Sequence, residues 1–133
     1  MATQTRPTET ATHDTFPING TDYVEFYVGN AKQASHFYQS AFGFQFAAYR
    51  GPETGVRDRA SYLLVQNKIR LVLTTPLGPD GEIADHVRRH GDGVRDIALW
   101  VDDARDAHAK ALERGAESAG EPRALRDDDG DVV

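Results

Sequence analysis

The sequence predicts an α+β fold made of two tandem βαβββ modules, the second cut short at its C-terminal end. Three observations predict it. Asp22-Tyr23-Val24-Glu25-Phe26-Tyr27-Val28 and Arg95-Asp96-Ile97-Ala98-Leu99-Trp100-Val101 both alternate as strands. Each is followed by an Asn or Asp and then by a helical pattern. Setting Val28 on Val101 gives a single offset for both, 101 − 28 = 73 residues. Two copies at so long a period do not make a solenoid, so they combine into one domain.

The first 15 residues, rich in Thr and Ala without periodicity, are expected to be a disordered tail. Residues 16–133 are expected to form the domain, with module one at about 20–80 and module two at about 92–133. In the first strand Val24, Phe26 and Val28 face one way, and Tyr23, Glu25 and Tyr27 the other. Asn30 caps the next helix, whose apolar stripe reads Ala34, Phe37, Tyr38, Ala41 and Phe42. Gly43 ends it in a left-handed turn. Phe44–Tyr49 then reads as a strand, and Arg50–Arg59 as a loop around Gly51-Pro52-Glu53-Thr54-Gly55. Ala60–Gln66 and Ile69–Thr75 form a hairpin about Asn67-Lys68. Pro76–Asp80 breaks the pattern, and Ile83–His90 is a short helix ending at Gly91.

In the second copy Ile97, Leu99 and Val101 face one way, and Asp96, Ala98 and Trp100 the other. Asp103 caps a helix with the stripe Ala104, Ala107, Ala111 and Leu112, closed by Gly115. Glu117–Ala119 reads as a short strand, and Leu125–Val133 as a turn around Asp129-Gly130 entering another. Against the first copy, most of the last two strands are expected to be missing, which would leave unpaired backbone at a sheet edge.

Composition narrows the function. A net charge of −6 argues against a nucleic-acid partner, whose phosphates favour a basic face. No apolar run approaches the roughly 18–20 residues of a membrane span, and no signal peptide is visible. The absence of cysteine excludes disulfides and thiolate chemistry and fits a cytoplasmic location.

Isolated candidates read as structure. His86 and His90 are four apart, a spacing that suits zinc, but Arg88 and Arg89 between them mark a solvated helix face. Asp127, Asp129 and Asp131 with Gly130 echo a calcium loop, yet turn chemistry accounts for them. His36 and His108 sit on helices with no nucleophile nearby. Glu25 has Arg70 within reach on a neighbouring strand, which suggests a structural ion pair. The glycines of Gly51–Gly55 lack phosphate-cradle spacing.

The duplicated unit resembles the vicinal-oxygen-chelate superfamily of glyoxalases, extradiol dioxygenases and bleomycin-binding proteins. Several stretches resemble one family within it: Thr21–Ala34 (TDYVEFYVGNAKQA), Phe37-Tyr38 with Ala41-Phe42-Gly43-Phe44, Tyr49–Gly55 (YRGPETG), and His90-Gly91-Asp92-Gly93-Val94 before Asp96-Ile97-Ala98. These look like the N-terminal half of the 4-hydroxyphenylpyruvate dioxygenases, over about Phe16–Val133. Hydroxymandelate synthase, which uses the same substrate, is the sister alternative. A dimeric small-molecule-binding protein of the bleomycin-resistance type is an alternative of another class.

The resemblance implies an Fe(II) enzyme of tyrosine catabolism that converts 4-hydroxyphenylpyruvate and O₂ to homogentisate and CO₂. Its partners would be a C-terminal catalytic domain and further copies of itself. The implied iron ligands, two His and a carboxylate, lie in that C-terminal half. In metal-binding members of the superfamily a His opens the strand; here Tyr23 and Asp96 hold those positions. A phenol titrating near about 10 is a poor Fe(II) ligand at neutral pH. Accordingly this chain alone is expected to be inactive, with no catalytic, cofactor-binding or metal residues, and Tyr23, Tyr27 and Trp100 are expected to fill the former cavity.

Overall fold

The computed structural model describes Phe16 and residues 18–127 and 130–132, so the expected N-terminal tail lies outside the described residues. Its elements follow the predicted order through α3 and differ after it: β1 (Gly20–Tyr27), α1 (Ala31–Phe42), β2 (Gln45–Arg50), β3 (Arg59–Gln66), β4 (Ile69–Pro76), α2 (Glu82–His90), β5 (Gly93–Trp100), α3 (Ala104–Glu113), β6 (Leu125–Asp127) and β7 (Gly130–Val132). The described residues divide into two units, residues 19–100 and the described residues that flank them.

The 19–100 unit is a five-stranded sheet in the order β2-β3-β4-β1-β5. β1 runs parallel to β4 with Val24 opposite Leu71, and antiparallel to β5. The β1–β5 register carries the signature of the repeat. Val24 pairs with Ile97, and 97 − 24 = 73, so the two copies meet at equivalent residues. Tyr23 pairs with Ala98 and Glu25 with Asp96, exchanging partners as a local two-fold axis requires. The ladder skips one residue on each strand, Asp22 and Arg95, and 22 + 73 = 95. These are equivalent β-bulges, each aiming its side chain out of the regular pleat.

The core lies between the sheet and α1. Val28, Ala31, Leu64, Leu71 and Leu73 are buried together, with Val24, Phe26, Ala34, Tyr38, Phe44 and Tyr62 packed around them. α1 turns a different face to the sheet from the predicted stripe. Ala31, Ala34, Ser35 and Tyr38 face inward, whereas Phe37, Ala41 and Phe42 are exposed. Small Ala31 and Ser35 let the helix approach closely, and the bulkier Phe37 and Phe42 turn to its flank. Asn30 Oδ1 accepts the Gln33 N–H at 2.9 Å, the predicted cap. Gly43 ends the helix at φ 75°, and the amides of Gly43 and Phe44 return to Gln39 and Tyr38 carbonyls.

The β3–β4 hairpin closes on Asn67-Lys68 as expected, with Gln66 opposite Ile69 and Asn67 left-handed at φ 52°. Glu82 and Asp85 open α2, and Arg88, Arg89 and His90 close it, a distribution that complements the helix dipole. The predicted loop after β2 contains a short 3₁₀ turn at Pro52–Thr54.

In the other unit, Asp103 Oδ1 accepts the Arg105 and Asp106 amides at 2.9 Å and caps α3 as predicted. Glu117–Ala119 is not a strand. Ser118 Oγ donates to the Gly120 carbonyl at 2.9 Å, accepts the Gly120 amide and meets His108 Nε2, so local side-chain bonds hold a turn there instead. β6 and β7 pair as a hairpin with Asp127 opposite Gly130; Asp129 lies outside the described residues.

If the core sits where these contacts place it, Leu73→Ala should cost about 2–5 kcal/mol in urea unfolding, from lost transfer and cavity terms. Ile97→Ala, at a residue 58% exposed, should cost under about 1 kcal/mol. Equal losses would contradict that placement.

Candidate functional site

The face of the sheet opposite α1 carries Tyr23, Glu25 and Tyr27 from β1 and, across the β1–β5 ladder, Ala98 and Asp96. The positions where the superfamily resemblance looks for metal ligands, Tyr23 and Asp96, are therefore diagonal neighbours on this ladder. Glu25 lies directly opposite Asp96, so two carboxylates share one cross-strand pair. That arrangement is unfavourable unless something compensates it.

Part of the compensation is a hydroxyl chain. Thr74 Oγ1 donates to Glu25 Oε1 at 2.7 Å and lies 2.8 Å from Ser61 Oγ. A threonine hydroxyl has one proton, and it is committed to Glu25, so Ser61 must donate to Thr74. Thr74 is fully buried, which shields the chain from competing water. The ion pair expected between Glu25 and Arg70 does not form. Arg70 Nη1 bonds Asp22 Oδ1 at 2.9 Å, because the β1 bulge presents Asp22 to it.

Tyr23 is half-buried, and its phenol pKa is pushed up by burial, then by Asp96, Glu25 and Asp22. Surrounding negative charge thus opposes the phenolate that would ligate a cation. Tyr27, at the other end of β1, is buried and meets the His86 ring edge-on at 5.3 Å. The Arg95 guanidinium lies 5.9 Å from the Tyr27 ring, and Arg95 Nε donates to Glu82 at 3.0 Å. Burial, followed by Glu82 and Glu25, raises the Tyr27 phenol, against opposing Arg95 and Arg59.

The aromatic trio expected to fill one cavity is not gathered. Trp100 pairs with Gly20, at the opposite end of β1 from Tyr27, and is 57% exposed. The strand repeat placed all three on one face but could not show how far apart along the ladder they fall.

The remaining candidates are scattered. His86 and His90 rings lie 5.0 Å apart on α2, and His86 Nδ1 is buried with no hydrogen-bond partner among the described residues. For ligation through Nε2, Nδ1 would ordinarily donate to an acceptor, and that support is missing among the described residues. His36 Nε2 lies 3.4 Å from Ser40 Oγ, and His108 meets Ser118. Among the described residues, no three His, Asp or Glu side chains converge as a metal site. The donors at the ligand positions do not fit an Fe(II) centre with two imidazoles: they are a phenol held protonated and the Asp96 carboxylate, and the adjacent Glu25 is already engaged by Thr74.

The Gly51–Gly55 turn is internally bonded, as its sequence suggested. Thr54 Oγ1 accepts the Gly51 amide, and Tyr49 Oη donates to Glu53 Oε2 at 2.7 Å. That bond holds the Glu53 carboxyl below its usual range and pushes the Tyr49 phenol up to about 12. Sequence reasoning missed this pair, and missed the Ser61–Thr74–Glu25 chain. The first had a weak signal, since Tyr49 and Glu53 flank a Gly-Pro turn.

A paired mixed sheet, a local two-fold and a ligand-position face define a class. The chain belongs to the Glyoxalase/Bleomycin resistance protein/Dioxygenase superfamily, whose family model matches residues 22–133. Among curated proteins it is similar to 4-hydroxyphenylpyruvate dioxygenase of Dictyostelium discoideum, 46% identical over 87% of this chain and 32% of that protein. It is also similar to that of Xenopus tropicalis, 44% identical over 83% of this chain and 28% of that protein. The chain thus spans about a third of the length of these relatives, in their N-terminal part. Among solved structures, a variant of 4-hydroxymandelate synthase from Streptomyces coelicolor superposes with TM-score 0.76 at 39% identity, over 80% of this chain and 32% of that one. Methylmalonyl-CoA epimerase from Mycobacterium tuberculosis, at 20% identity and TM-score 0.71 over 89% of this chain and 78% of that one, shares the fold alone.

Two outcomes test this geometry. Thr74→Val strips Glu25 of its donor and Ser61 of its acceptor, and should cost about 1–3 kcal/mol in denaturant; a neutral result would contradict the chain. Spectrophotometric titration should show Tyr49 ionising at about 12, against an ordinary 10.0. Because the folded-state value is the higher, the stabilisation is complete below the ordinary value and is lost as pH rises through about 12. Glu53→Ala should return Tyr49 towards its ordinary value.

Proposed function

We propose that this chain is the N-terminal domain of a 4-hydroxyphenylpyruvate dioxygenase, a non-catalytic half that packs against a C-terminal catalytic half. The observation that carries the reading is repeated identity of 37–46% to proteins of that one name. The local geometry supports it: Tyr23 and Asp96 occupy the ligand positions without supplying an imidazole, and Thr74 engages the adjacent Glu25. On this reading Fe(II) is held by the C-terminal half, where it supplies the oxidative chemistry that turns 4-hydroxyphenylpyruvate and O₂ into homogentisate and CO₂.

The present chain contributes a folded platform, contacts between copies of the full-length protein and no ligand to the metal. Residues 16–133 then constitute one domain of a cytoplasmic enzyme. Among the described residues, no helix is long and apolar enough to cross a membrane.

A second reading, the matching part of a hydroxymandelate synthase, has the similarity to the Streptomyces coelicolor structure in its favour. Both readings are tested by a chimera in which residues 19–133 replace the matched stretch of the Dictyostelium discoideum relative. Homogentisate formation should persist, and Tyr23→Phe or Asp96→Asn in the chimera should leave kcat within about twofold, since neither side chain touches the metal. A folded chimera whose turnover collapses with either substitution would overturn the scaffold assignment.

A further inference from the structure

At the end of the sheet where β1 begins, β5 ends and the Asn67-Lys68 turn closes the β3–β4 hairpin, the structure has a hollow of about 670 Å³. That volume falls within the range of about 300–1,000 Å³ typical of small-molecule sites. Its lining includes Val24, Ile69, Trp100, Lys68 and the Asp22–Arg70 pair. Ile69 is 52% exposed, and Trp100, as noted, is more so. Two large apolar residues left open to solvent in one concavity mark a binding surface, because either would ordinarily gain by burial.

The charge on the lining is asymmetric. Arg70 is neutralised by Asp22 at 2.9 Å, whereas Lys68 makes no ion pair among the described residues. The hollow therefore offers apolar walls and one uncompensated ammonium at its rim. A second hollow of about 600 Å³, lined by Phe26, Phe37, Tyr38 and Asp92, lacks such a selector, because Asp92 Oδ1 already accepts the Gly29 amide at 2.8 Å.

We propose that the first hollow binds a small amphipathic carboxylate, with its aryl or alkyl part against Trp100 and Ile69 and its carboxylate on Lys68. The site is independent of the enzymatic reading above, involving neither Tyr23 nor Asp96, and it requires no metal. The chemistry is non-covalent: apolar burial supplies attraction, and the charge-assisted contact selects an acid over its neutral analogue.

The chain has a single tryptophan, so emission under tryptophan-selective excitation reports on this hollow. Titrating the full chain with hydrocinnamate should shift Trp100 emission saturably, and hydrocinnamide should bind at least about tenfold more weakly. Lys68→Glu should abolish saturation and Lys68→Arg should retain it. Lys68 is an exposed turn residue, so both variants should fold, which circular dichroism checks. An unsaturable response to hydrocinnamate, equal binding of acid and amide, or unchanged binding by Lys68→Glu would each overturn the proposal; the first would leave the hollow as a contact surface for another polypeptide.

Discussion

The structure depends on the antiparallel seam between β1 and β5. It joins two equivalent strands at equivalent residues, Val24 against Ile97, and both bulges fall at positions one repeat apart. A duplicated sequence that folds each copy alike meets itself this way with least conflict, because every contact made on one side of the axis has a counterpart on the other. The bulges have equivalent places and different partners. Asp22 turns to Arg70 on β4, and Arg95 turns to Glu82 on α2 while lying over Tyr27. Backbone symmetry is kept while the side chains have diverged.

The seam also explains the face it creates. In a two-fold arrangement the residues flanking the axis come close together, which is where a shared metal site would be assembled from both copies. Here those positions hold Tyr23, Glu25, Asp96 and Ala98. Burial and then the carboxylates raise the Tyr23 phenol, and the buried Thr74 hydroxyl donates to Glu25. The cluster is organised to tolerate negative charge on a sheet. It does not present two neutral imidazoles and open coordination positions, the arrangement of a non-haem Fe(II) facial triad.

Much of the fold was legible because it rests on local rules. Alternation marked β1 and β5, Asn30 and Asp103 capped helices, Gly43 stopped one, and Asn67 turned a hairpin. Features that depend on tertiary placement were not legible. The rotation of α1 was decided by close packing at Ala31 and Ser35, which keeps Tyr38 on the sheet and turns Phe37 and Phe42 outward. Arg70 took Asp22 because a bulge, invisible in the alternation, re-aimed that carboxylate. Ser118 satisfied its own turn and prevented the short strand read at Glu117–Ala119. At the site, strand parity put Tyr23, Tyr27 and Trp100 on one face, while register separated them along it. The serine–threonine–glutamate chain had no sequence signal, since its members come from three different strands.

Anaerobic calorimetric titration of Fe(II) into the purified 133-residue chain tests the central claim most directly. Ligand positions occupied by a protonated phenol and by Asp96, which lies opposite a second carboxylate, predict no stoichiometric uptake. A tight one-to-one site that disappears on Tyr23→Phe or Asp96→Asn substitution would contradict the account.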